Sequence, residues 1–151
     1  QVTLVPDAPD AVTSNAGWDT LTHQSFLKSI ISDFRVAGIR TSLFVEAEPQ
    51  YIEGAKLIQT DRIELYTESY AQHFATDKKQ AVMPFVESAI LAKELGLGIN
   101  AGHDFNLENL NYFADTIPFL DEVSIGHALI SDALYLGLEK TVESYKNCLK
   151  R

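Results

Sequence analysis

The 151-residue chain is poor in cysteine, in positive charge and in long apolar stretches, and each shortage removes a class of function. Cys148 is its one cysteine, so no internal disulfide can form and a reducing, cytoplasmic setting is expected. Lys and Arg number 12 against 21 Asp and Glu, a net charge of −9 with histidines neutral. That balance argues against a nucleic-acid partner, yet it leaves room for a local phosphate site built from backbone amides. The longest apolar runs, such as Ala89 to Ala92, fall far short of the ~20 residues that cross a bilayer, so no membrane partner is expected. No basic segment leads into an apolar one in the manner of a secretory leader. Several motifs are missing as well. There is no Gly-x-Gly-x-x-Gly, no P-loop, and no His-x-x-x-His or Glu-x-x-His spacing, and Ser124 lacks the Gly-x-Ser-x-Gly context of a nucleophile elbow. A metal site is therefore not expected.

What is present is alternation. Five β-rich runs, Val2 to Val5, Ile39 to Val45, Arg62 to Thr67, Leu97 to Asn100 and Glu122 to Ile125, are separated by helical patterns. The runs are mostly continuous and apolar, the pattern of parallel strands covered on both faces, with Glu64 as the exception. Phe26, Leu27, Ile30, Ile31 and Phe34 mark a helix over Asp19 to Val36 that Gly38 stops. Pro49 opens a second helix, and a third runs to about Leu95, with Val82, Val86, Ala89, Ile90 and Lys93 near one face and Pro84 opening or kinking it. Asn106 is the expected N-cap of a short fourth helix closed off by Pro118. The tail from His127 to Arg151 reads as two helices broken near Gly137, with Lys146, Lys150 and Arg151 suited to a helix C-terminus.

This order of βα units fits two architectures. One is an open, doubly wound five-stranded sheet of flavodoxin-like size. The other is an incomplete (β/α)8 TIM barrel, a single domain over residues 1–151 lacking about three of the eight units in the usual ~250 residues. The opening Gln1-Val2-Thr3-Leu4-Val5, a strand with no starting methionine, favours the second and predicts a piece of something longer.

In both architectures ligands bind at the carboxyl ends of the strands. Those positions hold Thr13-Ser14-Asn15 after the first strand, Glu46 and Glu48 after the second, and Thr67-Glu68-Ser69-Tyr70 after the third. Asn100-Ala101-Gly102-His103-Asp104 follows the fourth and Gly126-His127 the fifth. His103 is a candidate acid–base group, since imidazole exchanges protons near neutral pH; the alternative is a loop histidine bonded to a neighbouring carbonyl. Gly126-His127 opens a helix whose free amides and dipole suit an anion, unless Gly126 only permits a sharp turn. Glu64, pointing into a barrel interior, would be desolvated and fit for acid–base or charge-stabilising work. Otherwise it pairs with Arg62 or Arg40 or is solvated. His23 lies early in a polar helical face and reads as a surface residue, and His73 lies in a polar stretch before a helix.

The segments Asn100-Ala101-Gly102-His103, Ser124-Ile125-Gly126-His127-Ala128 and Ser42-Leu43-Phe44-Val45 resemble the bacterial pyridoxine 5′-phosphate synthase family. Leu4-Val5-Pro6, Val12-Thr13, Ile63-Glu64 and Tyr70-Ala71 do so in the same order and spacing. The resemblance covers essentially the whole chain and implies strands four to eight of a (β/α)8 barrel with their helices. It implies condensation of 1-deoxy-D-xylulose 5-phosphate with 3-amino-2-oxopropyl phosphate to pyridoxine 5′-phosphate, with no metal or redox cofactor, in a homo-oligomer. It also implies roles for individual residues. His103 would be a proton donor, Glu64 a transition-state stabiliser and Thr13 a ligand of the deoxyxylulose phosphate, while Asp104, Gly126 and His127 would bind the aminoketone phosphate. Proton acceptors and further phosphate ligands would lie on the first three units, so the chain alone is expected to be inactive.

The chain departs from the family at three places. Asp104 stands where family members usually have glycine. Thr13-Ser14-Asn15-Ala16-Gly17 replaces a Thr-Thr-Glu-Gly-Gly loop, and Ala8-Pro9-Asp10-Ala11 replaces a basic stretch. These changes leave a second reading open, a non-catalytic α/β module that binds a phosphorylated ligand.

Overall fold

The computed structural model describes residues 1–150, and within them parallel strands alternate with helices. In chain order these are β1 Val2–Leu4, α1 Gln24–Val36, β2 Thr41–Val45, α2 Pro49–Ile58, β3 Arg62–Tyr66 and α3 Glu68–Glu94. There follow β4 Gly98–Gly102, α4 Leu110–Thr116, β5 Leu120–Val123, α5 His127–Leu136 and α6 Leu138–Cys148. The strands form one sheet in the order β1-β2-β3-β4-β5, every neighbouring pair parallel. A flavodoxin-like sheet reverses direction partway across, so this sequential order excludes it. It is the winding of a (β/α)8 barrel, present here as an incomplete, unclosed part.

The curl of the sheet supports the same conclusion. Four inter-strand spacings place the edge strands of a flat sheet about 19 Å apart, far beyond the reach of two side chains. Yet Gln1 Nε2, beside β1, donates to Glu122 Oε2 on β5 at 3.2 Å. Arg40, preceding β2, pairs with the other oxygen of Glu122 at 2.6 Å. The edges can approach in this way only if the sheet bends around a concave side.

Side chains alternate between the two faces of that bend. Outward, Leu43, Val45, Ile63, Leu65, Ile99 and Ala101 pack into one core with Leu27 and Ile31 of α1, Ile52, Ala55 and Ile58 of α2, and Phe85 and Ala89 of α3. Inward, the register aligns Ser42 with Arg62, and Phe44 with Glu64, Asn100 and Glu122 in turn. The concave face is therefore polar, which corrects the expectation of strands apolar on both faces. Its floor is an ionic lattice: Arg62 bonds Asp121 at 2.9 Å and Asn100 Oδ1 at 3.1 Å, while Asn100 reaches Glu122 at 3.3 Å. Arg62 and Arg40 are thus engaged by Asp121 and Glu122, and neither is the partner of Glu64.

Local differences have local causes. The first helix starts at Gln24, because the Asp19 carboxylate collects the amides of Leu21 and Thr22 in a turn before it. Phe26 faces solvent, 55% exposed, and Ile90 is 44% exposed, so the apolar stripes of α1 and α3 are narrower than the spacing implies. Pro84 neither opens nor breaks its helix. The interruption falls at Asp77, φ −153° and ψ 90°, whose carboxylate accepts from Lys79 N and Gln80 N and so starts a second helical segment. Asn106 accepts from Glu108 N and Asn109 N one turn early, and α4 itself begins after Asn109. β5 lies two residues before its expected place. The break at Gly137 stands, and Arg151, assigned to a helix end, lies outside the described residues.

Truncating a side chain of the outward face leaves a cavity, whereas truncating an exposed one does not. In the complete protein Ile63→Ala is expected to cost about 2–5 kcal/mol and Ile90→Ala about 0.5 kcal/mol or less, read from denaturant unfolding midpoints.

Candidate active site

A cavity of about 310 Å³ opens where the strands end. Thr13 lines it from the loop after β1, Tyr66 from the end of β3, His103 and Asp104 from beyond β4, and Gly126 and His127 from the start of α5. Glu64 does not line it. It lies one layer below on the concave face, 2% exposed, and reaches the cavity through His103. Thr13, His103, Asp104, Gly126 and His127 therefore share one mouth, with Glu64 beneath it.

Each wall has a local cause. The Pro6–Gly17 loop folds back over β2 because Trp18 N bonds Phe44 O at 2.7 Å and Gly17 N bonds Glu46 Oε1 at 3.1 Å. A Cβ at Gly17 would come within 2.6 Å of the Val45 and Glu46 backbone, so a side chain there would lift the loop that carries Thr13. Thr67, fully buried after β3, ties two strand ends together. Its amide bonds Gly102 O at 3.1 Å and its hydroxyl accepts from Asp104 N at 3.2 Å. Asn109 holds the far side of the same turn, donating to Asp104 O at 3.2 Å. Beneath it, Tyr70, Phe105 and Phe113 pack edge-on, and the Tyr70 hydroxyl bonds Asn109 O at 2.7 Å. Gly102 is needed for contact with the next strand, since a Cβ would sit 2.5 Å from Ser124 O.

The electrostatic centre is Glu64 and His103. His103 Nε2 lies 3.1 Å from Glu64 Oε1, and the Phe44 ring flanks the imidazole with centroids 5.1 Å apart. Glu64 Oε2 accepts from Thr3 Oγ1 at 3.2 Å. Hydrogen bonding to the Glu64 carboxylate raises the His103 pKa, against partial burial that lowers it, and the charges of Glu64, Asp104 and Asp7 add to the rise. With Nε2 turned to the carboxylate, Nδ1 is the nitrogen left for a ligand.

Two expectations take a more specific form. The Gly126 amide is not free for an anion, because it bonds His103 O at 3.1 Å; α5 begins at His127, whose amide opens the helix end. Asp104 is among the residues that line the cavity, and its Oδ2 accepts from the buried Thr67 hydroxyl at 3.4 Å. Burial pushes its carboxyl pKa upward and the nearby Glu68 charge adds to this, against the Thr67 hydrogen bond and the His103 charge, which lower it. His23 stands edge-on to Trp18 at 5.4 Å, and His73 bonds Ser69 O within α3, so neither belongs to the site. Sequence reasoning missed Thr3, Phe44 and Asn109 as supports of the site. Only the Asn106-to-Asn109 spacing carried a signal. No grouping of three metal-ligating side chains occurs among the described residues, and none of their helices is long and apolar enough to cross a membrane.

Because the fold raises the His103 pKa, its imidazolium favours the folded state. That contribution is full below the unfolded value of about 6.5 and is lost as pH rises through the folded value. His103→Gln keeps a donor toward Glu64 but cannot charge. Its unfolding midpoint in the complete protein should fall below wild type at about pH 6 and converge with it by about pH 9.

Comparison with known proteins places the chain. The family model described as "Pyridoxal phosphate biosynthesis protein PdxJ" matches residues 1–151. A pyridoxine 5′-phosphate synthase of Cytophaga hutchinsonii is 62% identical over 151 residues, covering 100% of this chain and 63% of that protein. Those of Christiangramia forsetii and Bacteroides thetaiotaomicron are each 59% identical over 150 residues, covering 99% of this chain and 63% of the relative. The chain thus spans just under two thirds of the length of these relatives. With the winding of its sheet and the match along its whole length, it belongs to the PdxJ family of pyridoxal phosphate biosynthesis proteins.

Proposed function

We propose that this chain is strands four to eight of a pyridoxine 5′-phosphate synthase, and that the complete protein condenses 1-deoxy-D-xylulose 5-phosphate with 3-amino-2-oxopropyl phosphate. The observation that carries this reading is the buried Glu64 carboxylate set against His103 at the floor of a cavity also lined by Thr13, Asp104, Gly126 and His127. Imine formation, dehydration and ring closure each move protons, and an imidazole whose pKa is raised by an adjacent carboxylate is biased toward the charged, donating form. His103 donates from Nδ1. Glu64, 2% exposed, keeps its charge close to the reacting atoms and stabilises the iminium cation that develops. Its place beneath the imidazole lets one carboxylate serve both the donor and the cation.

The phosphates are met by dipoles and hydroxyls. Thr13 offers a hydroxyl for the deoxyxylulose phosphate. His127, at the start of α5, offers an amide and the positive end of the helix dipole for the aminoketone phosphate. Gly126 contributes closeness of approach, its own amide being engaged, and Asp104 contributes mainly through its backbone turn. A volume of about 310 Å³ lies at the small end of ligand sites, in keeping with small phosphorylated substrates. The remaining barrel units supply the proton acceptors and the other phosphate ligands, and cover the open edges of β1 and β5. No metal or redox cofactor enters this scheme, and the enzyme works in the cytoplasm as a homo-oligomer.

The test supplies both substrates to the complete protein and follows pyridoxine 5′-phosphate by absorbance. His103→Ala should lower kcat by about a hundredfold or more and Glu64→Gln by about tenfold or more. Undiminished turnover in His103→Ala would remove it as donor. Ligand binding by the wild-type protein without product would leave the non-catalytic binding module in place of the enzyme.

A further inference from the structure

Thr3 lies on β1, separated by β2 from the strand that carries Glu64, and nothing in the proposed reaction assigns it a task. Its hydroxyl nevertheless reaches across the concave face to Glu64 Oε2 at 3.2 Å, while the other oxygen, Oε1, faces His103 Nε2 at 3.1 Å. The carboxylate is 2% exposed, and Oε1 accepts no well-aligned hydrogen bond from any described group, its contact with His103 being the ion pair alone. With Thr3 gone, nothing else described would hold Oε2, and a buried carboxylate with a free oxygen turns toward whichever donor it can find. Asn100 and Arg62, on the same face, are such donors.

We infer that Thr3 is a positioning residue, its hydroxyl fixing the Glu64 carboxylate so that Oε1 meets His103 Nε2 and leaves Nδ1 for the ligand. The inference rests on the proposed function for its bearing on catalysis, though not for its bearing on the histidine. Thr3 touches neither ligand nor cavity. It acts through Glu64, and it does so from the strand that carries Thr13 in the loop beyond it, so β1 serves the site at two levels. The charged groups that face His103 are Glu64 from β3, Asp104 from its own loop and Asp7 from the loop after β1. Thr3 has a direct hold on Glu64 alone.

Two substitutions separate the hydroxyl from its methyl group. Thr3→Val keeps the shape and removes the donor, whereas Thr3→Ser keeps the donor and removes the methyl. In the complete protein, the His103 titration midpoint, followed by NMR of the imidazole, should fall in Thr3→Val and return to the wild-type position in Thr3→Ser. The kcat of Thr3→Val should drop about tenfold with KM unchanged, and the basic limb of its pH profile should move to lower pH. If Thr3→Val does not fold, Thr3→Ala against Thr3→Ser makes the same comparison. An unchanged or raised His103 midpoint without the hydroxyl overturns the assignment, as does a Thr3→Ser that behaves like Thr3→Val. Absence of synthase activity in the wild-type protein would sink the proposed function while leaving the titration to judge Thr3 alone.

Discussion

Everything in this fold depends on the alternation of side chains along five parallel strands that bend one way, interrupted by one register shift between β4 and β5. Outward residues are Leu, Ile, Val and Ala, and the helices cover them. Inward residues include Thr3, Ser42, Arg62, Glu64, Asn100 and Glu122, which bond one another across the strands. A polar face is tolerable in a half-closed interior only if its groups find partners, and they find them by reaching over the hollow of the sheet. The Gln1-to-Glu122 and Arg40-to-Glu122 contacts therefore both reflect the curl and help to hold it. Slipping any strand by one residue would turn apolar groups into the hollow and carboxylates into the helices.

The site inherits its chemistry from this arrangement. Glu64 is buried by its place on a concave strand position, with its ion-pair partner arriving from the end of the next strand. What sets the distance between them is a group of contacts that do no chemistry. Thr67 clamps the ends of β3 and β4, Asn109 braces the turn after β4, and the Tyr70–Phe105–Phe113 cluster supports that turn from the helix side. Loop positions gain precision when neighbouring rigid elements hold both of their ends, and this one is held by a strand, a helix and an aromatic core.

The order of elements was legible in the sequence because each strand and helix has its own period and its own punctuation. Pro49 at a first helical position and Gly137 between α5 and α6 are examples. Convergence of His103, Gly126 and His127 was legible too, since parallel strands put all their carboxyl ends on one side. Two things were not. The break in α3 falls at Asp77, whose carboxylate caps two amides, while Pro84 lies inside the second helical segment. The partners of Glu64 were also hidden: Thr3 lies two strands away, and strand-to-strand reach depends on register and curl, which no local pattern encodes. Arg62 and Arg40, nearer in sequence, are taken up by Asp121 and Glu122 below it.

The chain carries a net charge of −9, and the fold sets two of its carboxylates at different depths relative to the cavity. Glu64 carries its charge one layer beneath the cavity, where it acts on the imidazole and leaves the lining itself to His103. Asp104 sits in the lining, where burial and the Glu68 charge raise its pKa against the Thr67 hydroxyl, which donates to one of its oxygens at 3.4 Å. The positive features that remain at the mouth are an imidazole biased toward its charged form and the start of α5. The cavity thus meets two carboxylates in different ways, Glu64 beneath the imidazole and Asp104 in the lining beside it.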